Sequence, residues 1–247
     1  MLLDKRSPAS IFLYGQPWFD RLGDTQRHAL LDAVVLRKAG KGETLLHKGE
    51  PIDSWYGVLS GMAKLQTRGP DGKVSAFLGV PAGEWFGEGS VLRGGTWRYD
   101  VVALRDTTLI GMPLACFQEL YRHDLQFNHY LIERLNLRLG QAMAVIESGR
   151  LRTPEERVAQ YLSHLFWQGM RKINLSQEDL GHLAGLSRQT INRVLKQFES
   201  QGWVSLEFGR VDILDQPALD ALATPADPGH EEPNDTERLP STTGPQP

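Results

Sequence analysis

Cysteine is almost absent: Cys116 stands alone in 247 residues. That excludes an internal disulfide and any zinc or iron–sulfur site built only from one chain's cysteines, and it fits a reducing compartment. No apolar run reaches the roughly 18 residues that a membrane helix needs. The start MLLDKRSPAS has neither the apolar stretch nor the cleavage site of a secretory signal. A soluble cytoplasmic chain with no membrane partner is expected. Histidine is equally thin where a roll-type metal enzyme would need it, since His47 is the only one between Gly40 and Gly111. Such a site takes two or three histidines with a carboxylate. No nucleophile-elbow serine, Walker loop or HExxH helix occurs either. Catalysis and a bound metal are therefore not expected.

Strong charge of one sign is also lacking, the formal balance being -3. The distribution is uneven, because residues 216–247 hold six acids against Arg238 alone, which leaves a small positive excess on the rest. That stretch is rich in Pro, Asp, Glu and Thr. Its low apolar content predicts an acidic, disordered tail over 216–247.

What the chain does have changes character near its middle. From Gly40 to Gly111 short apolar runs (TLLHKG, WYGVLSG, AKLQTRGPDG, VSAFLGVPAG, YDVVAL, TTLIGMP) are punctuated by glycine, with Pro70-Asp71-Gly72 as a turn. This spacing predicts a small antiparallel barrel or sandwich. Before it, Asp24 to Arg37 reads as a helix with Leu30, Leu31, Val34 and Val35 on one stripe. After it glycine becomes sparse, and one long helix is expected from Leu114 to about Ser148. Its seam is Leu131, Leu135, Leu139, Met143 and Ile146. Such a seam either joins two copies as a coiled coil or packs on the chain's own barrel.

Thr153-Pro154-Glu155-Glu156 has the capping Thr, first-turn Pro and acids of a helix start, and it marks a hinge. A helix is expected from Arg157 to Trp167 and two more within Leu175–Ser200. The runs WVSLEF and VDIL, joined by Gly209-Arg210, then read as a hairpin.

The stretch SQEDLGHLAGLSRQTINRVLKQFESQGWV has the pattern of a helix-turn-helix. Ser176 caps a first helix with Leu180, Leu183 and Ala184 inward, and Gly185-Leu186-Ser187 makes the turn. A second helix from Arg188 to Ser200 buries Ile191, Val194, Leu195 and Phe198. Packing leaves Ser187, Arg188, Gln189, Asn192, Arg193 and Lys196 outside, at the front of that helix. With Ser176, Gln177 and Arg210 they form the candidate DNA-contacting set. Arg reads both acceptors of guanine and Gln reads adenine, each good pair discriminating by about 1–3 kcal/mol. Exposed polar residues occur on any surface helix; the turn, the buried pattern, the polar front and the hairpin together favour double-stranded DNA. A second candidate is WFGEGSVLRGGTWRYDVVAL, where Gly87, Glu88, Gly89, Ser90, Arg98 and Tyr99 either cradle a phosphate and a ribose or make an ordinary corner held by a Glu88–Arg98 pair.

Together the glycine-punctuated roll, the long helix and the winged helix containing LSRQTINRVLKQFESQGWV resemble the Crp/Fnr family of bacterial transcription regulators, over roughly residues 15–215. The resemblance implies an α+β fold. Its parts would be a cyclic-nucleotide-binding-like β-roll of jelly-roll type (15–123), a central dimerisation helix (124–149) and a winged helix-turn-helix (150–215). It also implies a homodimer, a palindromic DNA site and contact with RNA polymerase. In cyclic-AMP-sensing members a Gly-Glu pair meets the ribose and phosphate, and an Arg followed by a small hydroxyl residue closes on the phosphate. Gly87, Glu88 and Arg98 match, whereas Tyr99 and then Asp100 follow the Arg. Ala142 and Met143 fall where those sensors offer hydroxyls to adenine. An adenine edge without partners costs about 1–3 kcal/mol per group. The effector implied is a cyclic nucleotide or a larger anion such as cyclic di-GMP with Tyr99 stacked on a base, the missing hydroxyls counting against cyclic AMP itself. A DNA-binding dimer with a purely structural roll stays open. Haem or redox sensing has less support, from scattered histidines and from Cys116 inside the apolar run LACF.

Overall fold

The computed structural model describes residues 7–71, 74–167, 175–207 and 210–224. Helix α1 (Pro8–Tyr14) opens them, with the Ser7 hydroxyl accepting from the Ser10 amide and Pro8 in the first turn. Helix α2 (Asp24–Ala33) follows and stops four residues before the predicted end; Val35 instead starts strand β1 (Val35–Ala39). A β-branched pair suits a strand, and here strand pairing overrides the helical stripe.

The roll then runs through β2 (Thr44–Leu46), β3 (Ser54–Ser60), β4 (Met62–Arg68), β5 (Val74–Pro81), β6 (Trp85–Phe86), α3 (Glu88–Arg93), β7 (Asp100–Ala103) and β8 (Thr107–Pro113). Two sheets result, ordered β1-β8-β3-β6 and β2-β7-β4-β5, with every pair antiparallel. On the face of the first sheet that the helices cover, the rings of Trp55 and Trp85 stack at 4.3 Å. Phe117 and Phe127 meet Trp55 edge-on at 5.4 and 5.8 Å. Such aromatic pairs add about 0.5–1.5 kcal/mol each beyond burial.

Phe117 and Phe127 come from different helices, α4 (Leu114–His123) and α5 (Leu125–Leu151). The single helix expected from Leu114 breaks at Asp124, which is extended and whose carboxylate accepts from the Phe127 amide at 2.8 Å. The break lets both rings reach one core. Leu131 is 2% exposed inside the roll's core, which removes it from the predicted seam, and Leu135 is half-buried. The outward row is Ile132, Leu139, Met143 and Ile146, each more than half exposed.

The C-terminal unit consists of α6 (Pro154–Leu162), α7 (Gln177–Ala184), α8 (Arg188–Ser200), the antiparallel pair β9 (Val204–Glu207) and β10 (Arg210–Ile213), and α9 (Gln216–Ala223). Thr153 and Glu156 cap α6 reciprocally. Helix α9 corrects the expected extent of the tail. Asp215 caps it, Leu219 is fully buried and Ala223 nearly so, an apolar spacing of four that gives residues 216–223 a packed face. The rest of that expectation, 225–247, lies outside the described residues, as does Gly209 of the predicted hairpin turn. Helix α7 sits against β5 of the roll. Lys41 pairs with Glu178 at 2.6 Å, Arg105 pairs with Asp179, and Met62 and Leu104 join the C-terminal apolar cluster. Among the described residues no helix is long and apolar enough to cross a membrane.

Candidate functional site

Glu88 opens α3 because Gly87 before it has φ 85°, a left-handed conformation that only glycine adopts without strain. The Trp97 ring leaves no room there either, since a Cβ on Gly87 would lie 2.7 Å from it. The Glu88 side chain is thereby turned inward and is 3% exposed. It faces a cavity of about 440 Å³, lined by Leu65, Phe77, Phe86, Arg98, Tyr99 and Arg138 among others. Among the described residues Glu88 Oε1 has no hydrogen-bond partner. Burial pushes its carboxyl above the usual range, opposed chiefly by the nearby Arg138. A buried acceptor without a donor is what a ligand hydroxyl or N–H would satisfy.

Gly87, Glu88, Gly89, Ser90, Arg98 and Tyr99 all line this cavity, so the structure brings the predicted set together. It does not pair Glu88 with Arg98. The Arg98 side chain is exposed at the mouth, and no ion pair joins it to Glu88. The cations near Glu88 are Arg138 and then Arg134, both from α5. Burial pushes the Tyr99 hydroxyl's pKa above its ordinary value, opposed by the neighbouring Ser90. Asp100 is not part of the cavity lining and accepts from the Lys48 amide at 2.8 Å. Ala142 lines the cavity, whereas Met143 lies on the outward row.

The sequence reading missed Arg134, Arg138 and Gln141. Arg138 donates to the Trp85 carbonyl at 3.0 Å and to Gln141 Oε1 at 2.8 Å, and burial lowers its affinity for the proton. Arg134 pairs with the buried Glu84. The available signal was helical spacing: 127, 131, 134, 138 and 141 follow steps of four and three from the buried Phe127 and Leu131. A larger cleft of about 660 Å³ lies between α1 and Glu84, but its charged lining is already paired, Glu84 with Arg134 and Arg105 with Asp179.

The second surface is α8. Ser176 and Asp179 cap α7 reciprocally, and Gly185 closes it in the left-handed region at φ 63°. Ser187 then caps α8 by accepting from the Thr190 amide at 3.1 Å. Ile191, Val194, Leu195 and Phe198 are fully buried below. Ser187, Arg188, Gln189, Arg193 and Lys196 are exposed above, and Asn192 and Gln177 are half-buried. Ser176 and Arg210 are bridged backbone to backbone, which brings the wing to the start of α7. Arg193 reaches Glu155 at 2.7 Å and Arg210 reaches Asp212 at 3.0 Å. Such exposed pairs are worth about 0–1 kcal/mol and yield readily to phosphate.

Residues 36–124 match the sequence model of a cyclic nucleotide-binding domain, and residues 156–222 match that of a Crp-like helix-turn-helix domain. Over 210 residues the chain is 28% identical to the cyclic AMP receptor protein of Thermus thermophilus, covering 85% of this chain and 97% of that one. It is 29% identical over 207 residues to the transcriptional activator protein Anr of Pseudomonas aeruginosa, covering 78% and 83%. The solved structure of FixK2 from Bradyrhizobium japonicum superposes with a TM-score of 0.69 at 22% identity, covering 78% of this chain and 99% of that one. At that identity the likeness bears on the fold.

Proposed function

Because this chain belongs to the Crp/Fnr family of transcription regulators, we propose that it acts as a homodimer on a palindromic DNA site, under control of a small anion held in the roll. The observation that carries the reading is the row Arg188, Gln189, Arg193 and Lys196, facing solvent on a helix whose other side is fully buried. A helix so divided enters the major groove with its polar front on base edges. The exposed row Ile132, Leu139, Met143 and Ile146 supports pairing of two α5 helices. Two copies then present their α8 helices to half-sites about 34–36 Å apart. RNA polymerase is the partner expected beside the bound dimer.

The cavity supports an effector of the cyclic nucleotide or cyclic dinucleotide class. Glu88 offers an unpartnered acceptor to a ribose hydroxyl or a base N–H. Arg98 and Arg138 offer positive charge to phosphate. Ala142 at the cavity wall offers adenine no hydroxyl, which favours a guanine nucleotide over cyclic AMP.

Selection of DNA from a random pool tests the first part: a two-fold symmetric site with half-sites one helical turn apart is expected, and an asymmetric site or none would overturn it. Leu139→Asp should convert the dimer mass in solution to a monomer; an unchanged mass would remove the seam. Calorimetric titration with cyclic AMP, cyclic GMP and cyclic di-GMP tests the second part. Saturable binding of one of them that Arg98→Ala abolishes is the expected result. No heat with any of the three leaves the roll a scaffold.

A further inference from the structure

Gln141 is 4% exposed, yet both ends of its amide are bonded. Its Oε1 accepts from Arg138 Nη1 at 2.8 Å, and its Nε2 donates to the Phe166 carbonyl at 3.0 Å. Arg138 lines the roll cavity, and its Nη2 donates to the Trp85 carbonyl at 3.0 Å. Phe166 belongs to the apolar cluster of the C-terminal unit, packed edge-on against Tyr161 and Trp167, each at 5.0 Å. Three hydrogen bonds in series therefore join the roll to the DNA-facing unit through one buried amide.

Both ends of that series resist being released. Leaving a buried amide group unpaired costs about 1–3 kcal/mol, so Gln141 moves with its partners rather than without them. The guanidinium is planar and rigid, and turning it toward an anion displaces all its N–H groups together. Arg138 also has a reason to turn. Among the described residues its Nε is buried without a partner and so is Glu88 Oε1, which faces the same cavity; Glu84 Oε2, 3.8 Å from Arg138 Nη2, is the acid that already lies beside the guanidinium.

We infer that Arg138 and Gln141 form a relay, in which a ligand that engages Arg138 alters its bond to Gln141 and, through Gln141, the hold on the Phe166 carbonyl. Gln141 is a positioning residue in this scheme: it touches no ligand and carries the cavity's occupancy to the unit bearing α8. The inference rests on the proposed effector role of the cavity, and its tests separate the two.

The first test needs neither ligand nor DNA. Amide hydrogen exchange over residues 164–167 should quicken in Gln141→Leu and to the same degree in Arg138→Met, with no further gain in the double variant. Quickening in Gln141→Leu alone, or additive effects, would make Gln141 a local brace and overturn the relay. Should Gln141→Leu fail to melt cooperatively, Gln141→Met takes its place.

The second test uses whichever of cyclic AMP, cyclic GMP and cyclic di-GMP binds the wild type, with DNA selected by the wild type. Gln141→Leu should bind the nucleotide within about twofold of wild type. The nucleotide's effect on DNA affinity, of the order of 5–150-fold in coupled systems, should shrink to about twofold or less. A full response in Gln141→Leu would overturn the relay. Absence of nucleotide binding by the wild type would instead sink the effector reading, and the exchange experiment would still decide whether the relay exists.

Discussion

In α8 the residues that face outward and the residues that hold the helix down lie within thirteen consecutive positions. In the roll cavity Glu88, Arg98 and Arg138 converge from α3, the loop before β7, and α5. The first surface keeps function and stability on opposite sides of one helix, so each can be altered alone. The second does not, because Arg138 lines the cavity and at the same time ties α5 to the Trp85 carbonyl. Separability in α8 comes from helical periodicity; its absence in the cavity comes from assembling charged groups in a buried place where each must also find partners.

The strongest challenge to that contrast removes the buried side of α8. Phe198→Ala, at a fully buried position beside Trp203, should cost about 3–5 kcal/mol of stability. Thermal melting should show it as an early loss of the C-terminal unit, with DNA binding lost as a consequence. Substitution of the outer side should do the reverse. Arg188→Ala and Arg193→Ala should each reduce preference for the selected site by about 1–3 kcal/mol, with unchanged melting. A drop in melting temperature comparable to that of Phe198→Ala would erase the distinction.

The smallest effect concerns the cavity. Burial raises the Glu88 carboxyl above its ordinary value, so the folded state holds its proton more tightly than the unfolded state. At acid pH, below the unfolded value, Glu88 is protonated in both states and costs nothing. As pH rises past that value the unfolded chain ionises first, and stability falls until the folded value is passed. Glu88→Gln should therefore melt higher than wild type at neutral pH, with the gap closing on acidification. A gap that is constant with pH would mean that Arg138 and Arg134 compensate the charge fully. The same variant should weaken any nucleotide that uses the carboxylate as an acceptor.

The same contrast explains what could be read in advance. The spine and front of α8 follow from a period within one segment, and the glycine-spaced strands follow from local turn chemistry. Gly87, Glu88 and Arg98 were legible because they sit within one short stretch. Arg134, Arg138 and Gln141 were not, because their meaning depends on which face of α5 meets the roll, and that face is fixed by contacts with residues far away in the chain, such as Glu84 and the Trp85 carbonyl. Leu131 was read onto the outer row, whereas it is buried and its neighbour Ile132 is exposed. Val35 was read into a helix because its strand partner, Gly111, lies far along the chain. Residues 216–223 were read as tail because an eight-residue helix with two apolar anchors is lost in an acidic composition.

The carbonyl of Ala223, at the end of α9, is held by the guanidinium of Arg152, in the two-residue turn between α5 and α6. The far end of the described chain is thus pinned to the point about which the two halves of the molecule would swing. A fluorophore placed at Thr224 would sit one residue from that pivot. Its surroundings would change only if the Arg152–Ala223 contact opened, so it would report release of that pin while leaving the cavity and the outer face of α8 untouched.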